Sequence, residues 1–248
     1  MTPARVWLDE DGKGGLKTPS GKGERSLICH IGGESGFVEG AKLIFRGKKS
    51  MKDSDYHSEM NSTVFLDWLE KKVLPAVPPR SVLVLDRATY HIMLTDETKP
   101  AKSSYRKLEF ANWLVQHDVQ WEGKATVDEF MALTRVELAA ICKANKPKPI
   151  FLAATLAKKF DCEVLFLPVA HPELNPIEMV WAYVKGYISR HNVDFSLNEV
   201  ERLASKAIDE MDSEKWTKYV RHCILVEDIY IAAADETPVD LDGSDEEP

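Results

Sequence analysis

Two short runs of apolar residues constrain the fold of this 248-residue chain more than any other feature. Residues 81–86 (SVLVLD) follow Pro78-Pro79, and residues 163–167 (EVLFL) form a second such run. A continuous apolar run of this length is typical of a β-strand that is buried on both of its faces. The segments between and after the two runs carry apolar residues at helical spacing. The sequence therefore predicts an α/β protein.

The other predicted elements follow from residue periodicity and from Gly, Pro and capping signals. Strands are predicted over 5–9, 25–32 and 41–46, and helices over 58–74, 105–117, 134–145, 151–160, from 176, from 196 and from 213 towards 232. Residues 99–149 are bounded by proline and lysine, and we interpret them as a helical insertion. We predict one domain over residues 1–234 that contains this insertion, followed by a disordered acidic tail over residues 235–248.

The composition excludes several classes of protein. No apolar run approaches the roughly 18 residues of a transmembrane helix, so no membrane partner is expected. The four cysteines have neither a zinc-knuckle spacing nor the pattern of a disulfide framework, which indicates a reducing compartment. The first residues contain no apolar stretch typical of a secretory signal. The segment Gly21-Lys22-Gly23 is too short for a P-loop, and no nucleotide cofactor is expected.

Charge is divided unevenly along the chain. The 32 Lys and Arg residues and 40 Asp and Glu residues give a net charge of −8. Residues 235–248 hold seven acids and no base, whereas residues 12–52 hold nine bases against three acids. A locally basic face on a nearly neutral body is compatible with a polyanionic partner, despite the acidic total.

Three carboxylates lie where metal-dependent chemistry could use them. Asp9 lies on the first predicted strand, and Asp86 ends a buried strand, a favoured site position in α/β sheets. Glu178 lies in the first turn of a helix that follows another buried strand. Each residue also has a structural interpretation. Asp9 can start a turn, Asp86 can cap the next segment, and Glu178 can close a capping box behind Asn175.

Two motifs resemble those of DDE-superfamily endonucleases. Residues 83–91 (LVLDRATYH) are similar to the DNAxxH strand end of mariner-type transposases, and residues 171–181 (HPELNPIEMVW) resemble their SPDLNPIENxW signature. Other stretches look like a long-spaced branch of the same superfamily: residues 19–25, 55–61 and 74–79. The resemblance covers most of residues 5–232.

This resemblance implies a ribonuclease H-like fold, in which helices flank a mixed five-stranded sheet and the insertion separates the second and third catalytic carboxylates. It implies that Asp9, Asp86 and Glu178 are the catalytic triad and bind two Mg²⁺ or Mn²⁺ ions. Hard cations prefer carboxylate oxygens, and a pair of them can activate water and stabilise the leaving oxygen in phosphodiester cleavage. We expect a DNA endonuclease and strand-transfer activity, a nuclear or nucleocytoplasmic location, and DNA as the partner. A homodimer is the candidate assembly.

Basic residues near the N-terminus and beside the two motifs are the predicted DNA contacts: Lys13, Lys17, Lys22, Arg25, Arg87, His91 and His171. The N-terminal stripe suits phosphate binding, but a solvated loop explains it equally well. Arg87 stands where the family usually has Asn, and it can bind a scissile phosphate. His91 and His171 flank the triad motifs, where each can contact DNA, order a carboxylate or pack within a loop.

A second interpretation stays open because of two departures from the family pattern. Arg87 can displace a cation through its own charge. The relatives also carry an N-terminal helix-turn-helix region that reads transposon ends, and this chain is expected to lack it because the first predicted strand begins at residue 5. The alternative is a fragment, or a domesticated or degenerate DDE domain that binds nucleic acid or protein without cutting.

Overall fold

The computed structural model describes residues 25–47, 60–193 and 196–236. Several sequence predictions lie outside the described residues: the strand over 5–9, Asp9, Lys13, Lys17, Lys22 and residues 237–248 of the predicted tail. The described part of the chain contains both strands and helices, as the sequence predicts. The α/β class is thereby confirmed.

The strands form three two-stranded sheets among the described residues. Strands β1 (Arg25–Cys29) and β4 (Leu43–Gly47) pair antiparallel, with Leu27 opposite Phe45. Between them, β2 (Gly32–Gly33) and β3 (Gly36–Phe37) form a very short hairpin. Gly36 in this hairpin has a φ of 101°, a conformation that glycine adopts readily because it lacks a Cβ atom.

The two apolar runs form the third sheet, which is parallel. Strands β5 (Val82–Leu85) and β6 (Glu163–Phe166) pair with Val84 opposite Leu165. The prediction that these two runs form strands buried on both faces is wrong for both, and in β6 Leu165 is 53% exposed. In β5, Leu83 and Leu85 are buried, but Val82 is 55% exposed and Val84 is 39% exposed. The strand therefore alternates, and only its even-numbered residues lie on the more open face.

A groove of about 480 Å³ lies between the two larger sheets. It is lined by residues 27–29 of β1 and by residues 82–85 of β5. Among the described residues, β1 pairs only with β4 and β5 pairs only with β6, so each of these strands has one unpaired edge. The expected single five-stranded sheet is therefore not formed by the described strands alone.

All of the helices except α3, which was not predicted, follow the predicted segments. Their bounds are α1 (Ser62–Trp68), α2 (Lys107–Gln116), α3 (Val127–Phe130), α4 (Arg135–Ala144), α5 (Leu152–Lys158), α6 (Pro176–His191), α7 (Leu197–Asp209) and α8 (Ser213–Glu236). Helix α1 is capped by Asn61, whose side chain accepts a hydrogen bond from the Val64 N–H. It continues into a π-helical turn, Leu69–Val73. Phe65 and Trp68 on its inner face pack with Leu83 and Leu85 in one core. No described helix is both long enough and apolar enough to cross a membrane.

The predicted insertion packs as a unit of three helices. Helices α2, α3 and α4 enclose a separate core around Phe110, Leu114 and Leu138. The two ends of the insertion meet, because the Thr95 N–H donates to the Ile150 carbonyl oxygen at 2.9 Å. The chain before this contact leads from β5, and the chain after it continues into α5 and β6. The insertion therefore adds helices without interrupting the β5–β6 pair.

Helices α6, α7 and α8 form the third core. Val180 and Val184 of α6 are buried with Ala204 of α7 and Trp216 of α8. The apolar face of α6 that carries Val180 and Val184 is therefore the face that packs. Phe37 of β3 contacts Trp216 edge-on at 5.1 Å, which joins this helical layer to the short hairpin.

Gly32 is predicted to be essential for this packing. A Cβ atom at Gly32 would lie 2.4 Å from Cζ2 of the buried Trp216, whereas a Cβ atom at Gly33 would meet nothing within 4 Å. We expect Gly32→Ala to lower the free energy of unfolding by about 2–3 kcal/mol, because the buried ring must be displaced. Gly33→Ala is the matched control, with an expected change within about 1 kcal/mol. Urea unfolding of both variants tests this, and equal effects would contradict it.

Candidate active site

Asp86 follows β5 directly, at the carboxyl end of the parallel pair. Its Oδ1 atom accepts a hydrogen bond of 3.0 Å from the Ala88 N–H, the Asx-type turn that aspartate favours. The same Oδ1 lies 2.6 Å from Nδ1 of His91. The Asp86 side chain is 50% exposed, and its Oδ2 atom has no hydrogen-bond partner among the described residues.

His91 lies behind Asp86 and is held by aromatic contacts. Its ring centroid is 4.4 Å from that of Phe65 and 4.5 Å from that of Tyr90. Its backbone N–H donates to the Ala88 carbonyl oxygen at 2.9 Å, which closes the turn after Asp86. The side chain is only 13% exposed. The structure therefore places His91 against the carboxylate and gives it little open surface.

Glu178 lies at the third position of α6, where Pro176 opens the helix. The structural interpretation of Glu178 required its side chain to close a capping box. Asn175 makes no side-chain capping bond, and the Glu178 carboxylate has no hydrogen bond or ion pair with the described residues. The capping box is therefore not formed. The residue is exposed and carries an unpaired carboxylate.

Asp86 and Glu178 line one cavity of about 260 Å³, although 92 residues separate them in the sequence. Its walls come from residues 86–88 after β5 and from the segment between β6 and α6. Both carboxylates also line the larger groove beside β5. The pKa of Tyr90 is raised, first by burial and then by negative charge that includes Asp86 and Glu178. Both carboxylates therefore lie close enough to Tyr90 to affect its pKa.

The other predicted contact residues divide into two groups. Arg87 and His171 line the cavity with the carboxylates. Arg87 is exposed and forms no ion pair with the described residues. Arg25 lies at the start of β1 and is not among the residues that line either cavity. Asn175, which the sequence suggested only as a helix cap, lines both cavities. Its position directly before Pro176 in the second motif is the signal that could have identified it.

His171 belongs to a hydrogen-bonded cluster that the sequence did not predict. Its Nδ1 atom lies 2.8 Å from Oε1 of Glu173, and the Tyr230 hydroxyl donates to the same oxygen at 2.7 Å. The hydrogen bonds from His171 and Tyr230 lower the pKa of Glu173 to about 2. This cluster joins helix α8 to the segment that precedes Glu178.

The two carboxylates fit a hard divalent cation in their chemistry, but they do not complete a site. No group of three or more His, Cys, Asp or Glu side chains that could hold a metal occurs in residues 25–47, 60–193 and 196–236. Oδ2 of Asp86 and the Glu178 carboxylate nevertheless accept no hydrogen bond from that part of the chain. Their oxygens are therefore available as metal ligands. Further oxygen ligands must come from elsewhere, and the predicted third ligand is Asp9.

Tyr230→Phe tests the cluster beside the cavity. We expect the pKa of Glu173 to rise from about 2 towards its ordinary value of 4.5, because one donor to the carboxylate is lost. A lowered pKa means that ionised Glu173 favours the folded state above pH 4.5, and that this contribution disappears as the pH falls through about 2. Carboxyl ¹³C NMR titration measures the shift. Tyr219→Phe on the same helix is the control, and an unchanged Glu173 in Tyr230→Phe would contradict the account.

The comparison with known proteins identifies a family for this chain. A family model described as DDE superfamily endonuclease matches residues 46–203, which is more than half of the chain. The matched span contains Asp86, Glu178, both parallel strands and the whole insertion. No curated protein and no solved structure shows significant similarity to the chain. The sequence of residues 46–203 therefore identifies the chain as a member of the DDE superfamily endonucleases.

Proposed function

We propose that this chain is a transposase-derived nuclease domain of mariner-type ancestry that cleaves DNA phosphodiesters and transfers strands with two divalent cations. The observation that carries this proposal is the shared cavity of Asp86 and Glu178. Their convergence needs the parallel pairing of β5 with β6, and neither carboxylate is neutralised by Lys or Arg among the described residues. Unneutralised carboxylates in one cavity repel each other, and a bound cation removes this repulsion.

The groove between β1 and β5 supports the proposed position of Asp9. It is lined by the apolar side chains of Leu27 and Val84 and lies between two strands that each have an edge unpaired by any described strand. The unpaired N–H and C=O groups of such an edge can pair with a further strand. We propose that residues 5–9 form this strand. It would join β1, β4, β5 and β6 in a five-stranded ribonuclease H-like sheet and bring Asp9 to the two carboxylates at the groove.

In this proposal the protein side chains bind the cations, orient the substrate and neutralise its phosphate charge. Asp86 and Glu178, with Asp9, would hold the cations through carboxylate oxygens. When bound, two divalent cations supply an activated water or 3′-hydroxyl and stabilisation of the leaving oxygen. Arg87 lies on the cavity wall with an exposed guanidinium, which suits a phosphate oxygen of the substrate. No covalent bond between protein and DNA is needed.

DNA is the proposed partner because the endonuclease family acts on it and because Arg87 and His171 line the cavity. Lys13, Lys17, Lys22 and Arg25 are proposed to contact phosphates away from the cavity. The homodimer and the nuclear or nucleocytoplasmic location stay predictions.

Nicking of supercoiled plasmid tests the activity. We expect cleavage in Mg²⁺ or Mn²⁺ and none in EDTA. Asp86→Asn and Glu178→Gln should each lower the rate on the order of 100-fold or more, because each keeps side-chain volume but loses a charged ligand. The melting temperature of Glu178→Gln should stay unchanged, since Glu178 closes no capping box. Asp128→Asn and Glu163→Gln are matched controls at exposed positions away from the cavity. EDTA-resistant nicking, or equal losses in the controls, would contradict the proposal.

The non-cutting alternative is favoured by one observation, the exposed guanidinium of Arg87 beside Asp86. A fixed positive charge there can compete with a cation for the carboxylates. Calorimetric titration with Mn²⁺ separates the two functions. If the chain is a nuclease, wild type and Arg87→Asn bind Mn²⁺ alike.

If the chain is a degenerate binding module, wild type binds no Mn²⁺ and Arg87→Asn gains affinity. Arg80→Asn is the control for charge removal, because Arg80 precedes the opposite end of β5. Its φ of 64° is one that Asn tolerates well.

A further inference from the structure

We propose that His91 is a positioning residue that fixes the Asp86 carboxylate in the orientation needed for cation binding. This inference rests on the proposed function and assigns a role to one side chain within it. His91 lines the groove that Asp86 and Glu178 also line, and it does not line the smaller cavity. Its contacts determine what it can do.

The hydrogen-bond geometry defines the tautomer of His91. Nδ1 lies 2.6 Å from Oδ1 of Asp86 and 3.2 Å from the Asp86 carbonyl oxygen. A carboxylate oxygen and a carbonyl oxygen both accept, so Nδ1 must carry the hydrogen and donate it. The short distance to Oδ1 marks this as the principal bond, and the longer contact is secondary.

The bond from His91 leaves the two oxygens of Asp86 in different states. Oδ1 accepts from the His91 ring and from the Ala88 N–H, at 2.6 and 3.0 Å. Oδ2 accepts no hydrogen bond from the described residues, and the side chain is half exposed. A carboxylate held through one oxygen presents the other in a single direction. Metal-binding side chains are commonly oriented by partners of this kind, with effects of about 10–100-fold on metal affinity.

The His91 ring is itself fixed by the core. Phe65, which is fully buried in α1, contacts the ring at 4.4 Å. Tyr90 contacts it edge-on at 4.5 Å, and the ring is only 13% exposed. The position of the carboxylate is thus coupled to the packing of α1 on β5. His171 differs, because its carboxylate partner is Glu173, whose side chain does not line the cavity.

A pair of substitutions separates hydrogen bonding from packing. His91→Phe keeps an aromatic ring against Phe65 and removes the donor. His91→Asn removes the ring but places an amide N–H near the position of Nδ1. We expect His91→Phe to weaken Mn²⁺ binding about 10–100-fold in calorimetry, while the melting temperature of the metal-free protein stays close to that of wild type. We expect His91→Asn to bind Mn²⁺ within about threefold of wild type, even though it melts at a lower temperature.

The opposite ranking would show that His91 acts only by packing and would overturn the inference. If His91→Phe binds Mn²⁺ as tightly as wild type does, the positioning role is overturned but the proposed function is not. If wild type itself binds no Mn²⁺, the proposed function is overturned as well. If His91→Phe does not fold, the imidazole ¹⁵N shifts of metal-free wild type decide the question. They should report the Nδ1–H tautomer, and the Nε2–H tautomer would contradict the inference.

Discussion

The parallel pairing of β5 with β6 is the constraint on which the candidate site depends. A parallel pair needs a long crossover connection, which here consists of the insertion and α5. Because both strands run in the same direction, Asp86 and the segment that leads to Glu178 leave the sheet at the same end. The cavity between them follows from this topology, and the helical insertion accounts for much of the sequence separation between the two carboxylates.

Much of this arrangement could be predicted from the sequence because it depends on local pattern. The apolar runs at 81–86 and 163–167, and the Pro176 that opens α6, define the elements that carry both carboxylates. The prediction that the first run is buried on both faces was wrong, since Val82 is 55% exposed. A run of apolar residues does not by itself reveal what covers a strand. Five strands in one sheet, the position of Asp9 and the two cations stay predictions.

Side-chain partners at long range could not be predicted. Tyr230 meets Glu173 across 57 residues, and no local periodicity indicates which face of α8 will reach the cavity segment. The capping interpretation of Glu178 failed for a related reason. The capping-box pattern is a local rule, and the observed Asn175 side chain makes no capping bond. His91 was a candidate for three roles in the sequence, and its distance of 2.6 Å to Asp86 supports the role of ordering a carboxylate.

Anomalous diffraction from crystals grown with Mn²⁺ tests the central claim most directly, which is that Asp86 and Glu178 share a cation site with Asp9. The account predicts anomalous density within coordination distance, about 2.0–2.2 Å, of carboxylate oxygens from both Asp86 and Glu178, with an Asp9 oxygen as a further ligand. Full Mn²⁺ saturation with no density in that cavity, or with density only at other carboxylates, would contradict it.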